Sequence, residues 1–108
     1  MTAAVLDPPV TDIGSLLEVR EGYRQGRPCL KGTGVTVHTI AAHHFQGMNA
    51  QEIWEGFPHT SLASVYAALA YYFANKEQVD GDLDADEEEG ERLIAEQTER
   101  LRRERKAG

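Results

Sequence analysis

The side chains able to do chemistry in this chain are four histidines, one cysteine and a short run of basic residues. His43 and His44 are adjacent. On a helix, neighbours point about 100° apart, so they do not make the i, i+4 pair that zinc sites favour. His38 and His59 stand apart from them, and most carboxylates fall in the last thirty residues. No metal and no cofactor is expected. Cys29 is the only cysteine, so no intramolecular disulfide can form. With no helix start or His/Asp pattern beside it, it reads as a small buried apolar residue and not as a nucleophile. Gly32-Thr33-Gly34 precedes a short β-prone run instead of opening a helix, so it lacks the phosphate-cradling arrangement. Nothing here makes an enzyme.

Two features suit binding. Arg20, Arg24, Arg27 and Lys31 concentrate positive charge, opposed within that window only by Glu21. Such clusters make phosphate contacts and release counterions. Thr60, Ser61 and Ser64 lie where a recognition helix would present its first residues to DNA. That helix has no basic residue before Lys76, so its alternative reading is core and dimer contact. The second feature is the tail. Asp86 to Glu89 reads either as a solvated linker or as part of a partner-binding segment. In the second case Leu93, Ile94 and Leu101 are the apolar anchors, and Arg100, Arg102, Arg103 or Arg105 enters a carboxylate-lined groove.

These residues need elements to hold them. Leu16–Val19, Pro28–Leu30 and Val35–Val37 are short strand candidates, separated by the turn clusters around Gly22, Gly26 and Gly32–Gly34. Val37, Ile40, Ala41, His44 and Phe45 then fall at helical spacing from near His38, and Gly47 is a suitable C′ residue. Asn49 with Glu52 three residues on forms a capping box for a helix over Ala50 to Gly56. Ile53 and either Trp54 or Phe57 are its buried residues, and Pro58 ends it. Thr60 or Ser61 caps a third helix reaching Lys76, with Leu62, Val65, Leu69, Tyr72 and Phe73 on its apolar face. Ile40, Phe45, Ile53, Val65 and Leu69 make the expected core.

The chain therefore reads as mainly α. Short N-terminal β-strands precede a three-helix, helix-turn-helix core, and a charged C-terminal helix follows. Its expected divisions are an extended arm (1–15), the strands plus helix-turn-helix domain (16–78), and an acidic linker with the charged helix (79–108). With 41% hydrophobic residues, a modest core is possible but not one extending through all 108 residues. The formal charge of −7 is uneven: residues 1–78 carry five basic against seven acidic residues, and residues 79–108 carry six against eleven. A lone cysteine, no hydrophobic signal segment and no apolar run near the roughly 20 residues of a membrane helix point to a cytoplasmic protein.

The string from Gly26 to Val37 (GRPCLKGTGVTV), the Met48–Ile53 segment, Phe57-Pro58 and the alanine-rich third helix together resemble domain-of-unknown-function family 433, grouped with VapB-type antitoxins. The resemblance spans roughly Leu16 to Asn75. It implies a homeodomain-like helix-turn-helix core and a PIN-type ribonuclease toxin as partner. Relatives commonly carry Arg after the Gly-Thr pair, where this chain has Gly34. The resulting expectation is a homodimeric, non-enzymatic antitoxin of a type II pair that neutralises the toxin directly, with operator DNA as a further ligand. The alternatives are a DNA-binding transcriptional regulator without a toxin, or a dimeric interaction module.

Overall fold

The computed structural model describes residues 10–107. It divides into two compact units, the first ending at Ala74 and the second beginning at Asn75. The first holds a 3-10 turn at Ile13–Leu16, strand β1 (Leu17–Glu18), a second 3-10 turn at Arg24–Gly26 and strand β2 (Cys29–Leu30). Helices α1 (Val37–Phe45), α2 (Ala50–Gly56) and α3 (Leu62–Ala74) complete it. The second unit is a single helix, α4 (Lys76–Ala107). Residues 1–9 of the expected arm lie outside the described residues. The arm does not run extended to residue 15, because Asp12 accepts the Gly14 N–H at 3.1 Å and starts the first 3-10 turn.

β1 and β2 pair antiparallel, Leu17 opposite Leu30 and Glu18 opposite Cys29. Two such strands have no independent stability, and this ribbon rests on α3. The expected third strand at Val35–Val37 does not form. Thr36 makes one isolated bridge to Cys29, and Val37 is already the first residue of α1. The cause is the Thr36 hydroxyl, which accepts the Thr39 N–H at 3.0 Å and starts the helix there.

The other helix ends follow their caps. Gly47, at φ +89°, takes the left-handed C′ position after α1. Asn49 and Glu52 exchange side-chain-to-backbone bonds of 2.9 Å each, the expected capping box. Ser61, not Thr60, caps α3, accepting the Ser64 N–H at 3.0 Å.

α1 and α2 both pack on α3. Leu30, Val37, Ile40, Ile53, Val65, Ala68 and Tyr72 form the sealed centre. Of the expected core, Ile40, Ile53 and Val65 are fully buried, Leu69 is half-buried, and Phe45 is 57% exposed. Phe73, expected on the apolar face of α3, is exposed to the same extent. Phe45 sits at the last turn of α1, at the rim of its buried arc. Its ring meets Tyr72 edge-on at 5.6 Å, covering that residue from outside.

In the second unit, the acidic run read as a linker is helix throughout. Lys76 pairs with Asp80 at 2.9 Å, and Arg92 pairs with Glu89 and, at 2.7 Å, with Glu96. Exposed pairs of this kind are screened by solvent and support the helix only weakly. Acidic residues dominate the N-terminal half and basic ones the last turns, as the helix dipole favours. Among the described residues no helix is long and apolar enough to cross a membrane.

Ile53→Ala is expected to lower unfolding stability by about 2–5 kcal/mol, and Phe45→Ala by only about 1 kcal/mol. Denaturant titration followed by circular dichroism measures both, and equal losses would contradict this core.

Candidate functional site

The basic residues expected to act together are arranged by one aromatic ring. Two guanidiniums approach the Tyr23 ring, Arg20 at 4.0 Å and Arg24 at 5.3 Å from its centre. Arg20 also donates to the Thr33 carbonyl at 3.1 Å, and its Nε lies 3.8 Å from Glu18. Glu18 in turn accepts the Gly32 N–H at 2.7 Å, at a turn where Gly32 has φ +77°. The loop from Lys31 to Gly34 is thus fastened to β1 by an acid and a base from the same strand region.

Arg24 and Gln25 hold φ of +50° and +59°, the left-handed region that non-glycine residues avoid. This bend carries the Arg24 guanidinium across Gly34. A Cβ at Gly34 would lie 2.7 Å from the Tyr23 hydroxyl and 2.9 Å from Arg24 Nη2. The missing side chain is what leaves room for both tips.

Beside them opens a cleft of about 710 Å³. Its lining is drawn from the Arg24–Arg27 bend, from Thr36 and Thr39 at the start of α1, and from Phe57 and His59. Phe57 and His59 belong to the turn between α2 and α3. Trp54 Nε1 donates to the Thr60 carbonyl at 2.9 Å, and the Thr60 hydroxyl donates to the Phe57 carbonyl at 2.7 Å, closing that turn. Among the described residues, no acidic side chain lines the cleft.

The structure therefore separates the expected DNA contacts. Arg24 and Arg27 share the cleft, Arg20 is held by Tyr23 and Thr33, and exposed Lys31 lies outside the lining. Ser64 is a correction: it is buried, and its hydroxyl accepts from Ser61 at 2.8 Å, so it does not face a ligand. Ser61 is spent on its cap and Thr60 on its turn. Sequence reasoning missed Tyr23, Gln25, Thr36, Thr39 and Phe57. The signal that could have found the loop was the run of turn formers between Arg24 and Gly34.

On α4, Leu93, Ile94 and Leu101 are exposed. Arg102 and Arg103 both bind Glu99, at 3.1 and 3.5 Å, while exposed Arg100 makes no ion pair among the described residues. Leu83 and Gly90, missed because their segment was read as a linker, fall on the same helical line as Ile94 and Leu101.

A family profile described as "Protein of unknown function (DUF433)" matches residues 17–72, just over half the chain. The chain belongs to the DUF433 family. The crystal structure of a DUF433 member from Anabaena variabilis ATCC 29413 is similar, with 26% identity and a TM-score of 0.59. The similarity covers 64% of this chain and 68% of that one. No curated protein matches the chain. The cleft lies wholly within the DUF433 match, and α4 lies wholly outside it.

The DUF433 body also holds Cys29, the first residue of β2, buried at 1% exposure. Burial pushes its thiol up from the ordinary value, against the opposing pull of Arg20 and Arg24. A raised folded-state pKa favours the folded protein below the ordinary thiol range, and that contribution is lost as pH rises above it. Cys29 is expected to resist a disulfide reagent at neutral pH and to react at once in denaturant, which thiol titration reads directly. Gln25→Gly should raise stability by about 0.5–1 kcal/mol by relieving the left-handed backbone. A loss of stability on thermal melting would mean that the bend is not strained.

Proposed function

We propose that this DUF433 protein is the antitoxin of a type II toxin–antitoxin pair, a non-enzymatic protein that neutralises a PIN-type ribonuclease by direct binding. The observation that carries the reading is α4. It is a 32-residue helix forming a compact unit of its own. Leu83, Gly90, Ile94 and Leu101 recur along it at spacings of seven, four and seven, a narrow apolar seam. Ile94 and Leu101 are exposed, as residues that enter a partner's groove must be. Arg100, about 100° around the helix from Leu101 and outside the Glu99 pairs, would supply the guanidinium for a nuclease carboxylate, with Arg102 and Arg103 exchanging Glu99 for the partner.

The body supplies the rest of the reading. Exposed Phe45, Tyr66 and Phe73 favour a homodimer, since a solitary protein gains nothing from aromatic rings in water. A homeodomain-like helix-turn-helix draws support from α2 and α3 joined by a short turn, and operator DNA from the exposed Arg20, Arg24 and Lys31. Burial of Ser64 weighs against base contacts at the α3 start.

Co-expression with a candidate PIN-type ribonuclease is the test. The wild-type chain should rescue growth and co-purify with the nuclease. Ile94→Asp with Leu101→Asp should abolish both while leaving the melting temperature unchanged, because both side chains are exposed. Full rescue by the double variant would refute the seam. Light scattering should give a dimer that Phe73→Glu converts to monomer, and a wild-type monomer at every concentration would remove the dimer from this reading.

A further inference from the structure

The seam of α4 is symmetric about the middle of the helix. Leu83, Gly90, Ile94 and Leu101 keep the same spacings, seven, four and seven, when counted from either end. Such a helix matches a second copy of itself running the opposite way, about a two-fold axis at the level of Arg92. Leu83 of each copy then stands opposite Leu101 of the other, and Gly90 opposite Ile94. Ile94 and Leu101 are exposed and Leu83 is half-buried. The midpoint of α4 (Lys76–Ala107) falls at the same level, so the two helices overlap along almost their whole length. Glu87 and Gln97, both exposed, complete the seam and also become opposites, so the glutamine amide donates to the carboxylate there. Exposed Leu93 lies one residue from the axis, where its two copies flank the crossing.

Gly90 supports the same pairing. Glycine inside a helix weakens it, and a Cβ at Gly90 would meet nothing within 4 Å in its own chain. A single copy therefore has no packing reason for glycine there, whereas Ile94 of a second copy fills that gap. Charge sets the direction. The acids of α4 lie toward its start and the bases at its end, so an antiparallel partner brings Arg100 to the level of Asp84 and Asp86. A parallel partner would set acid beside acid and base beside base, which repels.

We propose that α4 binds α4 of a second copy as an antiparallel two-stranded coiled coil. Two of its six layers are polar and Gly90 contributes no side chain to a third pair of layers, so it forms at higher concentration than a dimer made by the aromatic rings of the body. The pairing rests on α4 itself and not on the antitoxin reading. Where both hold, the second copy and the nuclease contend for one seam.

Single cysteines in the full-length chain read the direction, since buried Cys29 stays out of the exchange. Glu87→Cys and Gln97→Cys, one of them carrying a longer tag, should crosslink to each other when mixed under mild oxidation, and neither should crosslink alone. In the antiparallel pair each of these residues stands about 15 Å from its own counterpart, beyond the reach of a disulfide. Charge exchange is a second measure, made in the Phe73→Glu chain to silence the body interface. Asp84→Lys with Asp86→Lys, or Arg100→Glu with Arg102→Glu, should each weaken association in sedimentation about tenfold, and mixing the two variants should restore it. Crosslinking of either cysteine variant with itself as strong as in the mixture, no crosslinking in any sample, or a charge-variant mixture no stronger than its parts would overturn the proposal. No nuclease is present in either experiment, so failure here leaves the antitoxin reading standing, and failed growth rescue leaves the pair.

Discussion

Thr36 joins the two halves of the body. Its backbone bridges Cys29 at the end of the β ribbon, and its hydroxyl caps α1. One residue later the Val37 N–H donates to the Pro28 carbonyl at 3.0 Å, so the first turn of the helix is tied to the strand. Val37 and Leu30 are both fully buried, which fixes the ribbon against the helices. A two-residue strand and a nine-residue helix would each be marginal alone. Joined through Thr36 they form one element, and the loop between them is short enough to be controlled by Glu18 and Arg20 from below. The cleft follows from this joint, because Thr36 and Thr39 at the helix start and Gly34 and Val35 of the loop that the joint closes are all in its lining.

The same economy appears in the polar groups around that loop. Thr33 donates its hydroxyl to the Leu30 carbonyl at 2.8 Å and accepts the Val35 N–H at 3.1 Å. Backbone groups that a longer hairpin would satisfy by pairing are satisfied here by side chains. That releases the chain from sheet geometry and lets it bend sharply at Gly32 and Gly34. The left-handed Arg24 and Gln25 line the same cleft as Gly34. Strain at two non-glycine positions is tolerated where neighbouring contacts fix the conformation, and the stacked Arg20 and Tyr23 provide those contacts.

How much of this was legible in the sequence depended on whether a local rule or a tertiary one decided the outcome. Asn49 with Glu52, Gly47 and Ser61 each act within one turn of their own position, and each was readable. So was the burial of Ile40, Ile53 and Val65, where helical spacing is unambiguous. Phe45 was not, because periodicity cannot say where a buried arc ends, and this residue lies on its rim. Thr36 fits both a strand and a cap, and only the helix that follows chooses between them. Ser64 sits at the right place for a ligand contact, but its hydroxyl is captured by the cap three residues earlier. The acidic stretch of α4 lacked an apolar face and so looked like a linker; ion pairs and the backbone dipole are weaker signals than a hydrophobic stripe. For the cleft, only the arginines were visible in advance. The ring of Tyr23 and the void at Gly34 that orient them arise from chain folding over ten residues.

The charge distribution of α4 has one more consequence. Nine acidic residues fall between Glu77 and Glu91, and five basic residues between Arg100 and Lys106, with Glu104 the only acid in that last stretch. At 1.5 Å per residue the helix is about 48 Å long, so the two charge blocks are separated by more than a Debye length at physiological salt. Each end is therefore sensed separately by whatever approaches it. A groove with a basic and an acidic mouth would accept the rod in one direction and reject it in the other, even where the apolar seam fits equally well both ways. The helix is a keyed part, and its polarity is written in charge before any side chain touches a partner.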